Sequence, residues 1–484
     1  WYEDGFVFND INRIPAKRLI VIVLLTISGF YASFSPKRQN NKFPLFPKLL
    51  YRLLLIIVSY TICFMDFNHF FGEWFLVDRL LLAGLTIICF YNPYFIPLYL
   101  LQLMILTGQL EFPNVIGYDH THKSLVLPLL LIFYVFYMVK NWLKVNIDWE
   151  ILIVLILSVL GSWYLQAGIA KIELNWVHEN NLYNLFAAST DAGLFNQMPV
   201  VKQFIASSLY NLNGVILWIG LIIEVLFPLI ILLSRKLGLI ALTGFFLFHL
   251  MVYIVSGIFF WQWIVLELCL LFFFFQNGNI VRNLFTKVNT TVLLSLLVFN
   301  LFFLKVTKLA WFDCGYINSF TFYIDDGQID HMLYPTFFAP YDVGFSKNRF
   351  AYLRDENVLV STLGQCYESE IVKDVKKMLE IKDFTIIEAS KNNYGKNWYN
   401  EQSIEKFKNF IIRFIQNKIA YDPKFISAID APVHIQLGEN QQNYDIGELK
   451  TIYVVYEEKL ILPNLKYETM WKDTMIIYAQ NTIE

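Results

Sequence analysis

The feature that most limits how this chain can fold is the succession of apolar runs filling its sequence up to Lys308. A helix needs about 20 residues to cross roughly 30 Å of hydrocarbon, and fewer when it is buried among other helices. Runs of that kind fall at 18–34, 46–65, 77–91, 93–107, 125–139, 150–170, 214–233, 237–256, 258–275 and 290–308. The two that flank Tyr91, Asn92 and Pro93 also read as one bent hairpin. From Trp311 onward, charge density and turn residues return to ordinary levels. The expected fold is therefore an all-α polytopic membrane bundle of nine to ten transmembrane helices with a small C-terminal α+β extracytoplasmic domain. Its parts are an N-terminal segment (1–45), a transmembrane domain (46–310) and the C-terminal domain (311–484). The run at 18–34 either spans the membrane or lies in its interface.

Composition narrows the function. Hydrophobic residues make up 56% and charged residues only 16% of the 484, where soluble domains carry about a quarter charged residues. The mean hydropathy is +0.48. These values exclude a disordered chain, a nucleic-acid-binding protein and an ordinary cytosolic enzyme. A net charge of -2 points to no polyanionic partner,. The sequence opens on Trp1 rather than Met, so its true start is either upstream or processed, and no intact signal peptide is recognised,.

Loop charge sets an orientation. One set of alternate loops holds Lys37, Arg38, Lys42, Lys48, Arg52, Lys140, Lys144, Arg235, Lys236, Arg282 and Lys287. The opposite set holds Lys123, Lys171 and Lys202, with Arg79 at a helix edge. The excess marks the first set as cytoplasmic. The loop 108–124, the segment 171–213 and the C-terminal domain then face outward, and membrane lipid is the expected surrounding. The expected location is a bacterial inner membrane with the C-terminal domain outside the cytoplasm.

Ionisable groups inside apolar runs need a reason, because each costs about 2.5–3.5 kcal/mol on insertion scales. Lys171 closes the string Ala167-Gly168-Ile169-Ala170-Lys171, ahead of Trp176. Small residues there let a neighbouring helix or a ligand come close. The lysine reads either as a side chain snorkelling to the interface or as a partly desolvated base. His249 sits well inside its run, and Glu224 and Glu267 near the middle of theirs. Each reads as a satisfied buried group or as part of a site. His120 and His122 are two residues apart before the run at 125, but nothing completes a metal site and no metal is expected,. Cys63, Cys89 and Cys269 read as packing residues, whereas Cys314 and Cys366 either pair in an oxidising compartment or remain free thiols,.

Taken in order, these residues resemble the signature of the HTTM family, the membrane domain shared by vitamin K-dependent γ-glutamyl carboxylase and bacterial relatives. The resemblance rests on Tyr164–Lys171 with Trp176, on Glu224 followed by Phe227-Pro228, and on His249-Leu250 leading to Gly257-Ile258-Phe259. His122 before an apolar helix and Phe337-Phe338-Ala339-Pro340 after the last run complete it. It covers about residues 46 to 345, where nine runs remain, as in the carboxylase. The resemblance implies that Lys171 deprotonates a reduced vitamin K or menaquinol with help from His122. Dioxygen addition then yields a base that removes a γ-proton from a glutamyl residue of a secreted peptide, and carbon dioxide captures the carbanion. His249, Glu224, Trp176 and Gly168 would line the quinol pocket. Two departures stand out: the carboxylase's second lysine is Ala170 here, and the C-terminal domain is too small for all of its lumenal domains. They support an alternative expectation, a non-catalytic membrane scaffold or accessory factor for maturation or export of secreted proteins.

In the C-terminal domain, periodicity predicts helices over 367–381 and 402–420, the second with Ile404, Phe407, Phe410, Ile411 and Phe414 on one face,. Strands are expected at 357–362, 383–388, 433–437, 450–456 and 474–479,. With no phosphate loop, nucleophile elbow or recognisable carboxylate pair, this domain reads as a cap over the outward face or a docking module for a secreted peptide or protein.

Overall fold

In a computed structural model of the chain, the described residues are 23–29, 31, 33, 44–64, 75–111, 125–276, 278–303, 310–339, 341–346, 350–361, 363–420, 431–438 and 449–480. A helical stretch at 23–29 precedes the named elements. The helices are α1 (Leu45–Cys63), α2 (Phe75–Tyr91), α3 (Ile96–Glu111), α4 (Leu127–Asn141), α5 (Trp149–Glu173), α6 (Trp176–Glu179), α7 (Leu182–Asp191), α8 (Pro199–Ile230), α9 (Arg235–Ser256), α10 (Trp261–Phe275), α11 (Asn279–Leu284) and α12 (Lys287–Phe303). Four of them, α1, α5, α8 and α9, are long and apolar enough to cross a membrane. The shorter apolar helices include α4, α10 and α12.

Helix limits follow local chemistry. The Pro93–Phe95 turn separates α2 from α3, so the two runs around Tyr91 are distinct helices. Ser234 caps α9, its side chain accepting from Leu237 N at 3.3 Å,. Arg235 donates to the last carbonyls of α10, Phe274 O at 2.7 Å and Phe275 O at 2.6 Å, satisfying groups the helix leaves orphaned. One expectation needs revision: α8 begins at Pro199, not near 214. Proline suits a first helical position, and no glycine or proline falls between it and Gly214, so the helix begins well ahead of its apolar part.

α5 is the axis of the bundle. It is apolar all round, which is the mark of a helix buried on every side,. It packs against α4, α8, α11 and α12. Glycines set those approaches. A Cβ on Gly168 would sit 2.6 Å from Val225 Cγ2 and 3.1 Å from Glu224 Cβ, so α5 and α8 touch only because that position is bare. The outer surface of α8 carries Phe204, Val215 and Trp218 exposed. Water penalises such a surface and hydrocarbon does not.

The remaining chain builds β1 (Phe312–Asp313), β2 (Tyr316–Asp325), β3 (Asp330–Leu333), α13 (Asp342–Ser346), β4 (Gln365–Cys366), α14 (Ser369–Ile381), α15 (Thr385–Tyr394), α16 (Glu401–Ala420), β5 (Thr451–Leu462) and β6 (Lys466–Ala479). An antiparallel sheet has the order β3-β2-β5-β6, and β1 pairs with β4 separately. Phe322 meets Phe407 of α16, while Phe338, Phe345 and Phe350 close one aromatic core. Helices at 367–381 and 402–420 and strands at 450–456 and 474–479 are present, the strands being longer than expected. Three strand assignments are corrected. Among the described residues, 357–361 and 433–437 contribute only single bridges, Val358 to Lys396 and Ile435 to Ile258, and position 362 lies outside the described residues. Residues 383–388 instead enter α15, where Asp383 Oδ1 accepts from Thr385 N and starts a helix,. The hairpin β2–β3 was not foreseen. Its turn spans residues 326–329, with Gly327 at φ +84° and Asp326 Oδ1 accepting from the Gln328 and Ile329 amides.

The C-terminal domain joins the end of the bundle that carries Lys171. Gly257 ends α9 at φ +71°, and a Cβ there would meet Leu437 Cδ2 at 2.8 Å. Phe259 N donates to His434 O at 2.7 Å and Gln436 N to Gly257 O at 2.9 Å. Lys459 pairs with Asp191 of α7 at 3.0 Å.

Candidate functional site

Lys171, in the last turn of α5, points at Glu224 of α8, with Nζ 2.6 Å from Oε1. The lysine side chain is 11% exposed and the glutamate 3%. The ammonium also lies over the Trp176 ring at 4.8 Å and the Phe248 ring at 5.5 Å, contacts that favour a cation. Trp176 reaches this place because Asn175 takes a left-handed conformation, φ +56°, and turns the chain straight into α6. Four of the residues expected at one site, Lys171, Glu224, Trp176 and Gly168, are thus brought together, and His249 lines the same cavity. His122, expected as the helper, lies outside the described residues.

The cavity holds about 1160 Å³, at or above the upper end of ordinary small-molecule pockets. Its walls are mostly apolar, drawn from α5, α8 and α9, with Ile219, Ile222 and Leu247 among them. Trp163, Trp176, Trp263 and Trp311 also line it. Two buried polar atoms on lining residues, Glu224 Oε2 and Trp163 Nε1, have no hydrogen-bond partner among the described residues. One is an acceptor and the other a donor.

Deeper in the bundle, His249 Nδ1 lies 3.0 and 3.1 Å from the two oxygens of Glu267, a fully buried carboxyl on α10. The Tyr164 hydroxyl donates to Glu267 Oε1 at 2.6 Å and is 3.0 Å from His249 Nδ1. Glu267 was legible as a charge within an apolar run. Nothing local marked Tyr164 as its partner, because the two are 103 residues apart.

The C-terminal domain supplies part of the wall through Trp311, Asp313, Gln365 and His434. Asp313 Oδ2 accepts from Asn180 Nδ2 at 2.9 Å, and Oδ1 from Trp311 Nε1 at 3.1 Å. Burial pushes its carboxyl up to about 7, against the lowering pull of those two hydrogen bonds and the Lys171 charge,. Cys314, just after β1, and Cys366, on β4, lie next to these residues as free thiols. The hydrogen bond to Cys314, then burial, hold the Cys366 thiol well above the usual thiol range. Among the described residues, no group of three or more His, Cys, Asp or Glu side chains could hold a metal ion.

The architecture is thus a mostly helical, membrane-compatible bundle around an apolar cavity with an ion pair in its wall. No family model matches the chain, and neither a curated protein nor a solved structure is significantly similar to it.

Proposed function

We propose that the chain is an HTTM-type membrane enzyme that uses a lipid-soluble quinol and dioxygen to modify a secreted peptide, in the manner of vitamin K-dependent γ-carboxylation. The observation that carries this reading is the placement of Lys171 and Glu224 in the wall of a large apolar cavity. The residues fit a reduced vitamin K or menaquinol. The apolar walls suit its ring and tail, and the Lys171–Glu224 pair in the wall offers a polar end for a hydroxyl, which both accepts and donates,. When bound, the quinol would supply the reducing power that, with dioxygen, generates a base strong enough to remove a γ-proton from a glutamyl side chain. Lys171 takes the hydroxyl proton, and the 2.6 Å contact lets the lysine pass its own proton to Glu224,. Trp176 and Phe248 hold the amine in place. The Lys and Arg bias of the loops supports an orientation with the C-terminal domain, and any peptide docked on it, outside the cytoplasm,.

A second reading, a non-catalytic scaffold for secreted proteins, has one observation in its favour: Glu224 satisfies Lys171 without any ligand. It predicts stable co-purification of a partner through the C-terminal domain.

Ligand binding tests the first reading, because four tryptophans line the cavity. Titrating reduced menaquinone into the protein in nanodiscs is expected to quench tryptophan fluorescence. A Cβ on Gly220 meets only Phe248 Cε2, at 3.7 Å, so Gly220→Leu fills cavity space without a backbone clash. That variant is expected to weaken binding about tenfold or more, equivalent to roughly 1.4 kcal/mol. Equal quenching in both proteins would place the quinol elsewhere.

A further inference from the structure

Lys171 and Glu224 do not use all the proton-handling chemistry of the cavity. His249 lines it from α9, 6% exposed. Its Nδ1 edge is occupied by Glu267 and Tyr164 at 3.0–3.1 Å. Tyr164 gives its hydroxyl proton to Glu267 Oε1. A carboxylate facing Nδ1 with both oxygens accepts and does not donate, so Nδ1 carries the ring hydrogen. In the neutral ring Nε2 is then the lone-pair nitrogen. It makes no hydrogen bond among the described residues, and it belongs to the ring edge left for the cavity. Phe260, Trp263 and Tyr164 pack around the ring, with centroids at 5.2, 5.4 and 5.6 Å. They leave the imidazole little freedom to rotate.

We propose that His249 Nε2 is a second proton-accepting group of the cavity, serving a phenolic or quinolic hydroxyl of the bound ligand. Glu267 and Tyr164 are its positioning residues. In the step, the O–H bond of the ligand breaks and an Nε2–H bond forms. The electron pair stays on the oxygen, and the new imidazolium is balanced by Glu267. The arrangement assigns one hydroxyl of a two-hydroxyl aromatic ligand to Lys171–Glu224 and the other to His249. Identifying that ligand as a quinol rests on the reading above, whereas proton acceptance from an aromatic hydroxyl does not.

The test uses a phenol whose ionisation is visible, an alkyl-tailed para-nitrophenol, with the full chain in nanodiscs. Binding is read by tryptophan quenching and ionisation by the nitrophenolate band, at a pH where the free probe is protonated. Wild type is expected to bind the probe in its ionised form. His249→Gln is expected to retain binding and lose on the order of tenfold or more of the bound ionised fraction, as for removal of a general base. Glu267→Gln is expected to do the same, and to shift the imidazole nitrogen resonances of His249 away from the Nδ1–H tautomer, which a purely structural role would not move. An undiminished nitrophenolate band in His249→Gln overturns the inference, as does transfer of the whole effect to Glu224→Gln. Failure of wild type to bind the probe overturns it as well. Ionisation that depends on His249, in a protein that turns over no quinol, would leave this inference standing and remove the carboxylase-type reading.

Discussion

Truncating Lys171 to methionine is expected to destabilise the bundle by about 3–5 kcal/mol, the usual cost of leaving one partner of a buried pair uncompensated. Glu224 is 3% exposed and its second oxygen already lacks a partner among the described residues. Without Lys171 its carboxylate faces an apolar cavity with no counter-ion. Glu224→Leu alone leaves the ammonium with Trp176 and Phe248 only, and is expected to cost less, because the lysine is the more exposed member and a long side chain can move toward water,. The double change Lys171→Met with Glu224→Leu is expected to return most of the loss, since replacing a buried pair by apolar groups of similar volume is often neutral. Denaturation in detergent across the four proteins reads the coupling. Additive effects would mean that the 2.6 Å contact carries no coupling energy.

The second large effect is on pH. The unfolded Asp313 carboxyl titrates near 3.8 and the folded one near about 7. Between those values the folded state binds the extra proton, so stability falls as pH rises through that window. The loss reaches about 4 kcal/mol above pH 7, from roughly 1.4 kcal/mol per unit. It is complete once the folded carboxyl has ionised. Asp313→Asn removes that loss. It also places an amide donor against Asn180 Nδ2, at the cost of about 1 kcal/mol for one hydrogen bond,. The larger number decides the sign. At pH 8 the variant is expected to be the more stable protein, and its stability should not change between pH 5 and 8 on this account. Thermal unfolding at several pH values checks it; parallel pH profiles for both proteins would show that Asp313 does not titrate in this window.

Much of the helical part was legible because burial in apolar surroundings leaves a run that can be measured by eye. The limits of α1, α5, α9 and α10 lie within a few residues of their runs. The start of α8 was not legible, since hydropathy marks where a helix meets an apolar medium and not where its hydrogen bonding begins. In the C-terminal domain, Phe320, Phe322 and Ile324 alternate ahead of Asp326-Gly327, which is a hairpin signal,. The stretch 383–388 is rich in β-formers, yet the Asp383 cap and its tertiary setting override that propensity,. At the site, the close approach at Gly168 was readable from its small neighbours. Lys171 and Glu224 were each visible as a charge in an apolar run, but their contact spans 53 residues and only the packing of α5 on α8 creates it. The same holds for Tyr164, His249 and Glu267. Local patterns show which groups are costly to bury. They do not show which ones meet.

The central claim is that Lys171 drives quinol chemistry in this cavity. The most direct measurement is oxidation of reduced menaquinone or vitamin K by the purified protein with dioxygen and bicarbonate, comparing wild type with Lys171→Ala shown to be folded. The account predicts conversion of the quinol to its epoxide by wild type, and a fall of about 10²–10⁴-fold in the variant, as for loss of a general base. Equal conversion by both proteins, or none by a wild type that binds the quinol, would contradict it.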